Sequence, residues 1–277
     1  MQQILFEVPG TKLKIYGFGL MLTIALIGSM NLAAWRAKRE KLDGEQVYDL
    51  AIWVLLGGLL GARLFFVVEY WNTFKHWTEI FEVWNGGIVL YGSVIGGTVV
   101  FFLYKRLRPF PTRPMIDAIA PGLALGIGLG RIGCFLNGCC YGDVCNLPWA
   151  MRFPKPTAPW RNHVEHGLIS FDSLHSLPVH PTQLYSAIDG FLLVILLSAY
   201  YPLRKRDGEV MALMMVTYPV TRFLIEQLRN DEAGFVGGLT ISQAISIALF
   251  LGGIGYWLYL RTRPAGRYAD RAQPSAI

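Results

Sequence analysis

Seven apolar runs, each about as long as a bilayer core is thick, follow one another along this chain, and they leave little choice of fold. They cover roughly residues 15–35, 48–71, 87–104, 115–138, 181–202, 209–229 and 239–260. A helix needs about 20 apolar residues to cross the hydrocarbon. The runs do not alternate polar and apolar residues as the strands of an outer-membrane barrel would. With 53% hydrophobic and only 16% charged residues, the chain is also unlike soluble proteins of its length. The expected fold is an all-α integral membrane protein of about seven transmembrane helices.

Lysine and arginine set the orientation. Arg36, Lys38, Arg39 and Lys41 fall on one side, with Lys105, Arg106, Arg108, Arg113, Arg204, Lys205, Arg206, Arg261, Arg263, Arg267 and Arg271. The other side receives only Lys12, Lys14, Lys75, Arg152, Lys155, Arg161 and Arg229. The richer side is cytoplasmic, so the N-terminus is expected outside and the C-terminus inside. The first run has no basic region directly ahead of it and no small-residue cleavage site before its basic cluster, so it is expected to stay in the protein. The net charge of +6 is mostly this cytoplasmic collar, which suits anionic lipid rather than nucleic acid.

One membrane domain is expected over residues 1–264, including an extracytoplasmic insert at 139–180, followed by a polar, unstructured cytoplasmic tail at 265–277. Trp149, Phe153 and Trp160 in the insert suit a membrane interface. Residues 72–86, with Trp77, Phe81 and Trp84, read as a short amphipathic helix lying on the membrane. Glycines recur at four-residue spacing, as in Gly57/Gly61, Gly92/Gly96 and Gly122/Gly126/Gly130, which suits close helix packing.

Packing does not explain why the last of these ladders ends at Arg131, in Gly130-Arg131-Ile132-Gly133. A cation at membrane depth is costly unless it meets an anion. Arg63 and Arg222 also fall inside runs. Arg222, Glu226 and Arg229 share one helix face by their spacing. This reads as an internal Arg222–Glu226 pair, as an arginine oriented by Glu226 toward an anionic headgroup, or as both. Guanidinium suits phosphate because its charge is permanent and its donors fork onto two oxygens. Arg63 is either a third ligand or, the favoured reading, a bridge to backbone carbonyls. Asp117 lies near the inner end of its run, within reach of water, and reads as structural. Asp189 is placed to pair with an intramembrane arginine. Asn137, Gln183 and Tyr185 offer neutral donors at the outer interface, and His180 begins a run at a proline. Nearly every polar intramembrane cluster falls in the outer half of the bilayer. A lipid carrier would need polar residues through both halves.

Cys134, Cys139, Cys140 and Cys145 are close in sequence. Their C-x4-CC-x4-C spacing is not a standard zinc pattern. Disulfides or buried thiols are favoured over metal binding or catalysis, and the pairing is not legible.

These residues together resemble the prolipoprotein diacylglyceryl transferase family over about residues 10–260. The resemblance rests on Tyr16-Gly17, Gly61-x-Arg63-Leu64, Trp84-x-Gly86-Gly87 and Asp117-x-x-x-Pro121. It continues through Gly130-Arg131-x-Gly133-x-Phe135-x-Asn137-Gly138-x-x-x-Gly142 and His180-Pro181-Thr182-Gln183-Leu184-Tyr185, and ends with Arg222-Phe223-x-x-Glu226-x-x-Arg229 and Gln243. It implies seven helices with a periplasmic head in a bacterial inner membrane. It further implies transfer of diacylglycerol from phosphatidylglycerol to the lipobox cysteine of a preprolipoprotein, with release of glycerol phosphate. The family's essential arginines fall on Arg131 and Arg222, its first-span tyrosine on Tyr16, and the last glycine of its signature on Gly142.

Three departures from the family pattern stand out. Tyr91-Gly92-Ser93 stands where a histidine and two glycines are usual. Cys134 and Cys139 replace an asparagine and an acidic residue, and Ser186 replaces a glutamate. With a reference pKa near 10, tyrosine is a poor base at neutral pH. The base is therefore another group such as His180, or Tyr91 only donates a hydrogen bond, or positive field alone activates the thiol.

The expected catalytic set is Arg131, Arg222, Tyr91 and His180. The expected substrate-binding set is Tyr16, Arg63, Gly87, Asn137, Gly142, Gln183, Tyr185, Glu226 and Arg229. No metal or organic cofactor is expected, because the leaving group is already a phosphate ester. Rival readings are a lipid transporter, a non-catalytic scaffold that binds lipid or signal peptides, and a transferase using another phospholipid.

Overall fold

The computed structural model describes residues 4–7, 14–71, 74, 76–81, 87, 89–229 and 238–271. Lys12, Lys75, Trp84, Asn85, Gly86 and the last residues of the tail lie outside that range. After a two-stranded antiparallel ribbon of β1 (Ile4–Glu7) and β2 (Lys14–Tyr16), the described elements are helical: α1 (Gly17–Arg39), α2 (Gly44–Glu69), α3 (Leu90–Leu107), α4 (Thr112–Asn137), α5 (Ala158–Glu165), α6 (Thr182–Tyr200), α7 (Glu209–Glu226), α8 (Ile241–Arg261) and α9 (Tyr268–Arg271). Five stretches are long and apolar enough to cross a membrane: α1, α2, α4, the 22 residues beginning with α6, and α8. Their outer faces carry exposed apolar side chains such as Leu60 (71%), Leu64 (65%) and Leu251 (61%). Water would penalise such a surface and hydrocarbon would not, which fits a multi-pass membrane protein. The ribbon is an addition to the expected all-α fold, and it makes Tyr16 the end of a strand rather than part of a helix.

The chain divides into two compact units, Ala34–Met115 and the remainder. In the smaller one α2 and α3 pack through facing glycines. A Cβ on Gly61 would lie 2.8 Å from the Gly96 Cα, and one on Gly92 would lie 2.9 Å from the Ala62 Cα. Close backbone approach of this kind is what small-xxx-small faces provide. Residues 77–81 form a short 3₁₀ helix, and much of 72–86 lies outside the described residues. Arg63, 9% exposed, donates to the carbonyls of Glu79 (2.5 Å), Ile80 (2.8 Å) and Gly87 (3.1 Å). It thus makes the bridge to backbone that its position suggested.

In the larger unit α4 packs on α1 and α6 through its glycines. A Cβ on Gly122 would lie 2.7 Å from the Ser29 carbonyl oxygen, and Gly190 of α6 has the Gly128 backbone at a similar distance. Near the start of α4 Asp117 does not reach water. It is fully buried and accepts hydrogen bonds from the backbone N–H groups of Gly208 (2.7 Å) and Met211 (2.9 Å). It therefore caps α7 from another helix, satisfying donors that no local side chain reaches. Arg204 lies 3.4 Å from the same carboxylate. The half of the bundle expected to be nearly empty of polar groups thus holds some, but this cluster is closed on itself. The segment after 264 is ordered as far as it is described. Gly266 donates to the Lys205 carbonyl, the Tyr268 N–H donates to Asp207 at 2.7 Å, and α9 follows.

The insert has its own small core. Isolated bridges join Val144 and Met151 to Val179, and Pro154 to His175. Phe153 (0%) and Trp160 (3%) are buried within it rather than placed at an interface, and Trp160 donates to the Ser173 carbonyl at 2.6 Å. Of the three aromatics expected at an interface, Trp149 alone keeps an exposed ring. His163 is 3% exposed, and its Nδ1 accepts from the Leu177 N–H at 3.1 Å, which requires that nitrogen unprotonated. Burial, then the nearby His166, holds its pKa below the usual histidine value. The unfolded insert therefore binds a proton more readily, so this contribution to stability is complete above about pH 6.5 and falls as pH drops through that value. Amide exchange at Leu177 should accelerate between pH 7 and pH 5, corrected for intrinsic rates, and His163→Gln should flatten that dependence. An equal pH response in both proteins would rule out His163 as its source.

Candidate active site

Arg131 lies half-buried in the last two turns of α4, and among the described residues it has no hydrogen-bond or ion-pair partner. Gly130 beside it faces open space, with nothing within 4 Å of where a Cβ would stand. α4 then stops at Gly138, whose φ of +74° is the left-handed conformation that ends helices. The N–H groups of Gly138 and Cys139 both return to the Cys134 carbonyl, at 3.0 and 3.2 Å.

The turn that follows is clamped from two directions. Thr182 Oγ1 donates to the Cys140 carbonyl (2.8 Å), and Gln183 Nε2 donates to the Cys139 carbonyl (2.7 Å). Gly142 N–H donates to the His180 carbonyl, and Asp143 N–H donates to that of Leu228, just beyond α7. A Cβ on Gly142 would sit 2.5 Å from the Leu228 oxygen and 2.8 Å from the His180 Cβ, so only glycine fits. Gly142, His180 and Gln183 thus brace the turn after Arg131. Tyr185 accepts from Trp149 Nε1 at 2.8 Å and lies 3.4 Å from His180 Nδ1, tying the insert to the start of α6.

The end of α7 gathers the second set of charges. Glu226, 1% exposed, accepts from Arg222, and its carboxylate lies 3.8 Å from Arg229 Nε. Arg222 also donates to Ser242 Oγ at 3.0 Å, and Thr240 Oγ1 lies 3.4 Å from Glu226. Both hydroxyls come from the N-terminus of α8, where Thr240 and Gln243 form a reciprocal capping box. Spacing put Arg222, Glu226 and Arg229 on one face. It did not reveal Thr240 and Ser242, although the T-x-x-Q cap signature marks where α8 begins. Just below Ser242 an apolar groove of about 280 Å³ runs between α7 and α8, lined by Val220, Phe223, Leu224, Ile247, Phe250 and Leu251 among others.

The remaining candidates have other partners or belong to the smaller unit. Asp189 accepts from Thr221 at 2.9 Å, not from an arginine. Tyr16, at the end of β2, is 54% exposed. Arg63, Gly87 and Tyr91 belong to the smaller unit, where Tyr91 is 41% exposed in the first turn of α3.

All four cysteines are free thiols. The sulfurs of Cys134, Cys139 and Cys140 lie within 4.8 Å of one another, half-buried, which their sequence spacing did not disclose. The Asn137 side chain hydrogen-bonds the Cys139 thiol. Hydrogen bonds from Cys134 and Cys139, and then the charges of Arg131 and Arg229, push the Cys140 thiol down.

The family model described as prolipoprotein diacylglyceryl transferase matches residues 3–259. Among curated relatives, a phosphatidylglycerol–prolipoprotein diacylglyceryl transferase of Clostridium tetani is 35% identical over 255 residues, covering 92% of this chain and 96% of the relative. A second from Clostridium perfringens is 34% identical over 257 residues, with 92% and 93% covered, and one from a Nostoc species is 33% identical over 276 residues, with 94% and 93% covered. The extent of these matches establishes that the chain belongs to the prolipoprotein diacylglyceryl transferase family.

Proposed function

We propose that this chain transfers the diacylglyceryl group of phosphatidylglycerol to the lipobox cysteine of prolipoproteins, at the outer leaflet of a bacterial inner membrane. The observation that carries the reading is Arg131, a cation at membrane depth with open space beside it and no hydrogen-bond or ion-pair partner among the described residues. Such a group calls for an anionic ligand. α3 and α7, each 18 residues long, complete a set of seven spans with α1, α2, α4, α6 and α8. At 1.5 Å per residue each reaches about 27 Å. α7 has a reason to be less apolar than the others, since it carries Arg222 and Glu226.

In this mechanism Arg131 forks onto the phosphate of the lipid. Arg222, oriented by Glu226 and Ser242, shares the charge that builds there, and an acyl chain lies in the groove between α7 and α8. The acceptor thiolate attacks the glyceryl carbon bearing the phosphate. A C–S bond forms, the C–O bond breaks, and the electron pair leaves on glycerol phosphate. Preorganised cations facing a developing anion are the largest resource such a site has.

The test is direct. Purified protein, phosphatidylglycerol and a lipobox peptide should yield a peptide heavier by one diacylglyceryl group on its cysteine. Folded, lipid-binding protein that yields no adduct from phosphatidylglycerol would favour the scaffold reading, and an adduct only from another phospholipid would reassign the donor.

A further inference from the structure

We propose that Cys134, Cys139 and Cys140 bind one soft divalent cation of the zinc type, and that its remaining coordination position receives the acceptor cysteine. The first half stands on the site alone. The second rests on the transferase reading above.

The geometry is close to what such an ion needs. Zinc–sulfur bonds of about 2.3 Å put the sulfurs of a tetrahedral site about 3.8 Å apart. The three sulfurs here already fall within 4.8 Å of one another. The backbone that presents them is fixed by contacts that do not involve sulfur. Gly138 reverses the chain at the end of α4, Cys140 is held at a φ of +59°, and Thr182 and Gln183 grip the carbonyls of Cys140 and Cys139. Surrounding groups suit a bound ion. Three thiolates and a dication leave one net negative charge, and Arg131 stands three residues before Cys134 on α4, on the same side of that helix. Asn137 supplies a hydrogen bond to the Cys139 sulfur, the kind of outer support that metal ligands receive.

Three protein ligands and a vacant position characterise catalytic rather than structural zinc. A coordinating thiol is deprotonated outright, so a bound cation would supply the acceptor thiolate without a protein base. The acceptor thiol gives its proton to solvent on coordination. The resulting thiolate then attacks the glyceryl carbon, and glycerol phosphate leaves with one more negative charge than the phosphatidylglycerol carried.

The experiment uses the full-length protein in lipid nanodiscs, purified under a non-chelating reductant. Elemental analysis should find about one zinc per chain, and cobalt substitution should give the intense thiolate-to-metal absorption of a sulfur-rich site. Cys134→Ser and Cys140→Ser should each weaken cobalt binding at least about tenfold, whereas Cys145→Ser should not. Adding a lipobox peptide should shift the cobalt bands, and the same peptide with serine for cysteine should not. Native protein, chelated and then reloaded, covers the case in which a variant fails to fold: transfer should fall at least about tenfold and return with zinc.

Three free thiols that hold no stoichiometric metal, or a disulfide between two of them in the active protein, would overturn the proposal. So would undiminished transfer by metal-free protein, which would leave the transferase reading intact. A loaded site whose bands respond to the peptide, with no adduct from any phospholipid, would keep the metal site and sink the transferase reading instead.

Discussion

Replacing Arg131 by lysine is expected to lower transfer about 10²–10³-fold, the cost of losing one preorganised donor to a developing anion, with the fold intact. Lysine keeps the charge but loses the fork, and an ammonium cannot bond two phosphate oxygens side by side. The fold should survive because Arg131 makes no hydrogen bond or ion pair among the described residues, and Gly130 next to it borders open space. The measurement is single-turnover transfer at saturating lipid, alongside thermal unfolding. A lysine enzyme within a few-fold of the parent would mean that Arg131 contributes field alone. A loss of activity matched by a fall in stability would make it a structural residue.

Glu226→Gln has the other large expected effect, and it strikes stability and activity together. The carboxylate is 1% exposed and lies between Arg222 and Arg229, whose side chains are 13% and 7% exposed. Glutamine has nearly the same shape but removes the negative charge that both guanidinium groups face. Breaking a buried pair from one side costs about 3–5 kcal/mol. The variant should unfold at a markedly lower temperature and transfer poorly, because Arg222 loses the group that fixes its direction. Phosphatidylglycerol should recover part of the lost stability by taking the place of the missing charge. A variant as stable as the parent would show that the two arginines are satisfied by other groups.

How much of this could be read beforehand depends on how local each signal is. The apolar runs became helices displaced by only a few residues, and the facing glycines of α2 and α3 pack as their spacing suggested. Arg222 and Glu226 needed only helical periodicity, whereas Arg229 lies past the end of α7 and reaches Glu226 from beyond the helix. Asp117 was placed in water because its partners, Gly208 and Met211, lie more than ninety residues away in sequence. The aromatics of the insert were assigned to an interface because composition does not separate a ring at a membrane surface from one filling a small core. The cysteine spacing did not disclose that three sulfurs cluster, because spacing rules assume a regular turn. Here a left-handed glycine and a left-handed cysteine fold the chain back within three residues.

The bonds from Gly142 to His180, from Asp143 to Leu228, and from His180 back to Asp143 run between main-chain atoms alone. The segments that carry the two principal arginines are therefore located by groups every amino acid possesses. Mutation can rewrite the neighbouring side chains without moving either guanidinium. A lineage could in this way vary the groups around the site while keeping both arginines in place. Gly142, hemmed in by Leu228 and His180, is denied that freedom.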